Sequence, residues 1–152
     1  MDAQLLKKVA LFEGLTQGQL AKVAGIARER SYEGGAFLFR EGEVGHEMFV
    51  LLSGKVRISK SVPGIGEEAL AILEGGQYFG EMALIEDSPR SADAIAHTAC
   101  SVWVIERAQL DQLMFTDKDL AYVLLWTFVR TLSERLRETG DKIKAFFAIS
   151  RF

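Results

Sequence analysis

Between Ser31 and about Ile105 the chain is a series of short apolar runs separated by glycines. This pattern limits the possible folds more than any other feature of the sequence. The clearest runs are Phe37–Phe39, Met48–Leu52, Val56–Ile58, Ala69–Leu73 and Val102–Ile105. Short apolar runs at regular spacing, with glycine turns between them, predict an antiparallel double-layered sheet or barrel.

Helical patterns flank this region on both sides. Residues 2–30 predict short helices, with Thr16 as the N-cap of the second one. Helical patterns return at Glu106–Met114, and again from about Asp117 to the end. A chain of 152 residues is long enough for one substantial core. We therefore expect one β-domain with its flanking helices over residues 1–116, followed by a C-terminal helical segment over residues 117–152.

Composition excludes several classes of protein. A hydrophobic fraction of 49% is typical of a globular protein, and a net charge of −3 lacks the basic footprint of a nucleic-acid binder. The single cysteine, Cys100, excludes an intramolecular disulfide and fits a reducing cytoplasm. The N-terminus lacks the basic-then-apolar pattern of a signal peptide. The apolar run Leu120–Val129 is too short to span a bilayer, so we expect no membrane span.

The segment 79–92, Phe-Gly-Glu-Met-Ala-Leu-Ile-Glu-Asp-Ser-Pro-Arg-Ser-Ala, carries the most specific chemistry. A helical turn beginning near Gly80 would offer unpaired backbone N–H groups to an anion. Arg90 supplies a cationic fork suited to phosphate oxygens, and Glu81 can accept a hydrogen bond from a sugar hydroxyl. The pattern favours a small phosphodiester attached to a sugar. The alternative is a structural ion pair between Glu81 and Arg90 beside a tight turn.

This segment resembles the phosphate-binding cassette of cyclic-nucleotide-binding domains. The family pattern is Phe-Gly-Glu-(Leu/Met)-Ala-Leu, a six-residue gap and Arg-(Ala/Ser/Thr)-Ala, which the chain matches without insertion. The resemblance implies that Glu81 binds the ribose 2′-hydroxyl and Arg90 the cyclic phosphate of cAMP or cGMP. The ligand-binding residues it implies within the cassette are Phe79, Gly80, Glu81, Met82, Ala83, Arg90, Ser91 and Ala92.

The same resemblance extends over nearly the whole chain. The stretch 11–15, Leu-Phe-Glu-Gly-Leu, looks like the opening helix and turn of the family. The implied architecture is mainly β: an eight-stranded antiparallel jelly roll with N-terminal helices and a long C-terminal helix. Ser91 is intermediate between the threonine and the alanine that family members carry after the arginine, so the choice between cAMP and cGMP stays open.

The C-terminal helix carries a second pattern. Apolar residues alternate in steps of four and three, as in a heptad seam with one polar member; they are Leu125, Val129, Leu132, Leu136, Thr139, Ile143 and Phe146. We expect this seam to form a homodimer through a parallel coiled coil. The alternative is a helix that packs on its own domain, which we expect for the nearly all-apolar stretch Tyr122–Phe128.

Thr139 interrupts the seam and admits two interpretations. The string 135–143 is similar to the helix that lies over the nucleotide in catabolite-activator-type regulators, and this implies that Thr139 donates its hydroxyl to the purine. The alternative is a polar residue that sets the register of a coiled coil.

These patterns predict a regulatory sensor that binds a cyclic mononucleotide and signals through its C-terminal helix. One alternative is the effector domain of a catabolite-activator-type regulator. Only ten residues follow Lys142, so we do not expect direct DNA binding by this chain. The other is a non-binding interaction domain of the same fold, with a protein partner of unknown identity. A metal enzyme is disfavoured, because His46 and His97 are the only histidines and no nucleophile or Walker motif is present. We therefore expect no metal and no catalytic residues.

Overall fold

A computed structural model describes residues 3–150. The helices are α1 (Ala3–Leu6), α2 (Gln17–Ile26), α3 (Arg107–Thr116) and α4 (Lys118–Ser150), with 3-10 turns at Ala10–Phe12 and Glu81–Leu84. The strands are β1 (Arg28–Tyr32), β2 (Phe37–Phe39), β3 (Glu47–Ser53), β4 (Val56–Val62), β5 (Gly66–Leu73), β6 (Tyr78–Phe79), β7 (Asp93–Ala96) and β8 (Cys100–Glu106).

The eight strands form two four-stranded antiparallel sheets, which confirms the predicted β-architecture with flanking helices. One sheet has the order β1-β8-β3-β6 and the other β2-β7-β4-β5. The prediction of helix up to residue 30 is wrong at its end. Residues from Arg28 onward pair with β8 as an edge strand, with Arg28 opposite Val104 and Tyr32 opposite Cys100. The polar composition of this strand follows from its exposed position.

Strand β3 shows how the sequence builds two layers of core. Its run Met48-Phe49-Val50-Leu51 is apolar throughout because both of its faces are buried. Met48 and Val50 pack among the helices, whereas Phe49 and Leu51 pack between the two sheets. Strand β8 alternates in the same way. The helices are therefore held on the outer face of the first sheet, and the second sheet closes the roll.

The α2 helix begins where the sequence predicts. The Thr16 side chain accepts a hydrogen bond from the Gln19 N–H, and the Gln19 side chain accepts one from the Thr16 N–H. Such a reciprocal capping box satisfies two of the backbone donors that a helix start leaves unpaired. It fixes the start of the helix that contributes Leu20 and Val23 to the core.

The α4 helix has 33 residues and is therefore about 50 Å long. Its first half packs on the domain through Leu120, Leu124 and Phe128, but every residue from 133 to 150 is exposed. Burial of the whole Tyr122–Phe128 stretch was expected, and this is wrong for one face of the helix. That face is an apolar stripe open to solvent, formed by Tyr122, Leu125, Trp126, Val129, Leu136, Ile143 and Phe147.

Candidate functional site

A cavity of about 510 Å³ lies between the turn that follows β6, the second sheet and α4. Its lining residues are Phe39, Ile58, Leu73, Tyr78, Phe79, Gly80, Glu81, Met82, Ala83, Glu86, Ser88, Pro89, Arg90, Ser91, Ala92 and Arg135. The segment 79–92 thus forms most of one wall. Apolar side chains from β4 and β5 face it, and α4 contributes a cation at the rim.

Arg90 is the buried cation of this cavity. Only 8% of the residue is exposed, yet no carboxylate within the described residues pairs with it directly. Its Nη1 donates to the carbonyl oxygen of Gly80 at 3.1 Å, and its Nη2 donates to that of Glu47 at 2.8 Å. Its Nε is buried without a hydrogen-bond partner among residues 3–150. Burial lowers the pKa of the Arg90 guanidinium, while nearby carboxylates oppose that shift.

Aromatic rings lie against the face of this guanidinium. The Arg90 Cζ lies 4.2 Å from the centre of the Phe39 ring and 5.9 Å from that of Phe49. The Phe49 ring stacks on Phe79 with centres 5.1 Å apart. Cation–π contact stabilises a positive charge without neutralising it. The arrangement keeps Arg90 positive and fixed in place, as an anion-binding site needs.

Two glycines leave room for the guanidinium. At Gly45 a Cβ atom would lie 2.5 Å from Nη2 of Arg90, and at Gly80 it would lie 2.8 Å from Nη1. Gly80 also has a φ of +74°, in the left-handed region that favours glycine, and it precedes the 3-10 turn Glu81–Leu84. Both positions therefore require glycine if Arg90 is to keep its place.

Glu81 is the buried anion of the cavity, with 6% of the residue exposed. Its Oε1 accepts a hydrogen bond from Nη1 of Arg135, a residue of α4. Burial lowers the pKa of the Arg135 guanidinium, but the bond and the charge of Glu81 outweigh this and raise it overall. A side chain of the segment 79–92 is therefore attached directly to the long helix.

The structure brings eight of the nine sequence-predicted site residues together around the cavity. They are Phe79, Gly80, Glu81, Met82, Ala83, Arg90, Ser91 and Ala92. The direct Glu81–Arg90 ion pair weighed as an alternative is not formed, since each side chain has other partners. Thr139 is not in the lining. Its hydroxyl donates to the carbonyl oxygen of Arg135 at 2.9 Å, one helical turn earlier.

Sequence reasoning missed several lining residues. Arg135 lies 54 positions from Glu81, and from the sequence it was assigned no role at the site beyond its place in the string 135–143. Phe39, Ile58, Leu73 and Tyr78 were assigned to strands or left unassigned, with no role at a site. Hydrophobic patterns place such residues in strands, but only the pairing of strands decides which ones face a cavity.

The fold and this cavity can be compared with known proteins. Residues 29–117 match the family model described as "Cyclic nucleotide-binding domain". The chain belongs to the cyclic nucleotide-binding domain family. Domains of this family are regulatory, and this chain is a cyclic-nucleotide-binding regulatory domain.

Relatives come from several contexts. The chain is 36% identical over 119 residues to human cGMP-dependent protein kinase 2. The matched region covers 76% of this chain but only 15% of the kinase. Among solved structures, the N-terminal domain of a transcriptional regulator from Streptomyces coelicolor A3(2) superimposes with a TM-score of 0.81 at 28% identity. That match covers 91% of this chain and 94% of the other. The regulatory domain of Toxoplasma gondii PKA, crystallised with cAMP, gives a TM-score of 0.73 at 31% identity, covering 90% and 48%.

The described residues form neither a candidate metal site nor a candidate membrane-spanning helix. Within residues 3–150, no three or more His, Cys, Asp or Glu side chains are grouped so that they could hold a metal ion. None of the helices in that range combines the length and the apolar character that a membrane crossing requires.

The close approach of Gly45 to Arg90 gives a first prediction. Gly45→Ala should weaken nucleotide binding by about tenfold or more, because the new methyl group displaces the guanidinium from its two carbonyl partners. Gly25→Ala is the matched control, since a Cβ at Gly25 meets nothing within 4 Å. Calorimetric titration of both variants measures the effect. Equal affinities in the two variants would contradict the steric argument.

Proposed function

We propose that this domain binds cAMP or cGMP in the cavity beside the cassette and signals occupancy through α4. Glu81 would accept a hydrogen bond from the ribose 2′-hydroxyl, and Arg90 would bind the cyclic phosphate. The observation that carries this proposal is the presence of a buried cation and a buried carboxylate on the wall of one cavity, with the carboxylate bonded to Arg135 of α4.

The size and the walls of the cavity suit a nucleotide. About 510 Å³ is within the range of small-molecule sites. Arg90 and Glu81 are the buried charged residues of the cavity, suited to the phosphate and the sugar. Ile58, Leu73 and Met82 supply apolar surface for a purine ring. Ser91 also lines the cavity, and its hydroxyl can donate to a phosphate or accept from a guanine amino group.

We further propose a homodimer formed by the apolar stripe of α4. The stripe runs along one face from Tyr122 to Phe147 and is open to solvent in the single chain. Pairing of two such helices would cover it, as in a coiled coil. Thr139 lies outside the cavity of its own chain. For Thr139 to contact the purine as proposed, α4 would have to move toward the cavity when the ligand binds.

The proposed role is regulatory, without catalysis by this domain. Arg90 and Glu81, the buried charged residues of the cavity, are suited to holding a ligand. Burial raises the pKa of the single thiol, Cys100, and keeps it unreactive. A free cysteine of this kind fits the cytoplasm. A separate partner protein would bind differently according to the position of α4.

Calorimetry tests the proposed function. Protein freed of bound nucleotide by unfolding and refolding is titrated with cAMP, cGMP and their 2′-deoxy analogues. We expect micromolar or tighter binding of at least one cyclic nucleotide, and about tenfold or greater loss with its 2′-deoxy form, because Glu81 then loses its hydroxyl donor. Absence of binding to both cyclic nucleotides would overturn the proposal. Equal binding of the 2′-deoxy form would overturn the role of Glu81.

A further inference from the structure

The end of the cassette is fastened to the loop before β3. The Arg90 N–H donates to the carbonyl oxygen of Glu43 at 2.8 Å, and the Gly42 N–H donates to that of Arg90 at 2.9 Å. Pro89 forms a bridge with Val44, and the Arg90 side chain bonds the Glu47 carbonyl. If an arriving anion displaced Arg90, these bonds would transmit the movement to residues 42–47.

The same loop touches the start of α3. The Arg107 N–H, the first of that helix, donates to the carbonyl oxygen of His46 at 2.8 Å. The Arg107 side chain then turns toward the cassette, where its Nη1 donates to Oδ1 of Asp87 at 2.7 Å. The His46 ring lies close by, with Nδ1 at 3.7 Å from the same oxygen. Three segments of the chain thus meet at one carboxylate.

We propose that Arg107 is a positioning residue for the phosphate site. By holding Asp87, it fixes the loop between the 3-10 turn and Arg90 against the first turn of α3. Because α3 leads directly into α4, occupancy of the phosphate site and the position of these helices become coupled through this ion pair. This inference rests on the proposed nucleotide function and identifies a second connection, apart from Glu81–Arg135, between the cassette and the helices.

Removing the charge of Asp87 could change nucleotide affinity in either direction, depending on how Asp87 acts. Asp87 is a negative charge three residues from Arg90. If its charge acted only at a distance, its removal would favour an anionic ligand. If Asp87 acts through Arg107, its removal frees the loop and weakens binding. The direction of the change in affinity therefore separates the two roles.

The test is a double-mutant cycle on nucleotide affinity, with Asp87→Asn, Arg107→Gln and the double variant titrated with cAMP and cGMP. We expect each single variant to bind about threefold more weakly, since the Asp87 side chain is largely exposed and such pairs are modest. The double variant should match the single ones, because the pair is lost in all three. Asp111→Asn is the matched control. Asp111 also lies near Arg107, with Oδ2 at 3.8 Å from Nε, but it belongs to α3 and does not connect this helix to the cassette.

Amide hydrogen exchange gives a second measurement that needs no ligand. In the unliganded protein, amides of residues 85–88 should exchange faster in Asp87→Asn and Arg107→Gln than in wild type or Asp111→Asn. Tighter binding by Asp87→Asn, additive losses in the double variant, or unchanged exchange would each overturn the positioning role. If wild type binds no cyclic nucleotide, the proposed function fails, and the exchange experiment still decides whether the ion pair holds the loop.

Discussion

Replacing Arg90 by alanine should weaken cyclic-nucleotide binding by at least about thirtyfold, or about 2 kcal/mol, and by more if phosphate binding is fully desolvated. The guanidinium is buried, fixed by the carbonyl groups of Gly80 and Glu47 and supported by the Phe39 ring. Its loss would leave an anionic ligand in a buried site without a compensating charge. Calorimetric titration with the preferred nucleotide measures the change.

The matched control for this prediction is Arg137→Ala. Arg137 is an exposed arginine of α4 outside the cavity, so its variant carries the same change in net charge. Its affinity should stay within about twofold of wild type, because exposed charges contribute little. Thermal unfolding of both variants must show folded protein. A folded Arg90→Ala variant with wild-type affinity would remove the cassette from the proposed mechanism.

Introducing Val129→Glu together with Leu136→Glu should convert a dimer into a monomer. Both residues lie on the apolar stripe and are 55% and 75% exposed in the single chain. In a paired helix each glutamate would be buried near its counterpart from the second copy, and burying unpaired like charges is strongly unfavourable. Light scattering coupled to size-exclusion chromatography should show the mass of one chain.

Ile65→Glu with Leu70→Glu provides the comparison for the stripe. These residues are 69% and 59% exposed and lie in the β4–β5 hairpin, outside the stripe. The same chemical change there should leave the dimer intact. If wild type is already a monomer, or if Val129→Glu with Leu136→Glu keeps the wild-type mass, the stripe does not mediate dimerisation and is available to another partner.

The two central strands β3 and β8 could be predicted because both of their faces are buried. Met48–Leu52 and Val102–Ile105 are continuous apolar runs for this reason, and both are strands in the structure. Residues 28–32 could not be recognised in the same way, because an edge strand with exposed side chains has no hydrophobic pattern. Strand β6 has only two residues and is defined by its pairing with Phe49 and Val50.

The cassette was predictable because its chemistry is local in sequence. Gly80, Glu81 and Arg90 lie within eleven positions, and a short motif carries them. The contact of Arg135 with Glu81 depends on how α4 packs on the domain, and no periodicity in the sequence specifies it. Gly45 is one of several glycines between the apolar runs, and only the folded structure shows that it makes room for Arg90.

The exposed length of α4 has a mechanical consequence. From Arg135 to Ser150 the helix extends about 22 Å beyond its attachment to Glu81, with no other part of the described chain covering it. A tilt of about 10° at that attachment would move the far end by about 4 Å, from the rise of 1.5 Å per residue. In the proposed mechanism the helix would therefore act as a lever arm, converting a small rearrangement around the ligand into a displacement of several ångströms at its far end.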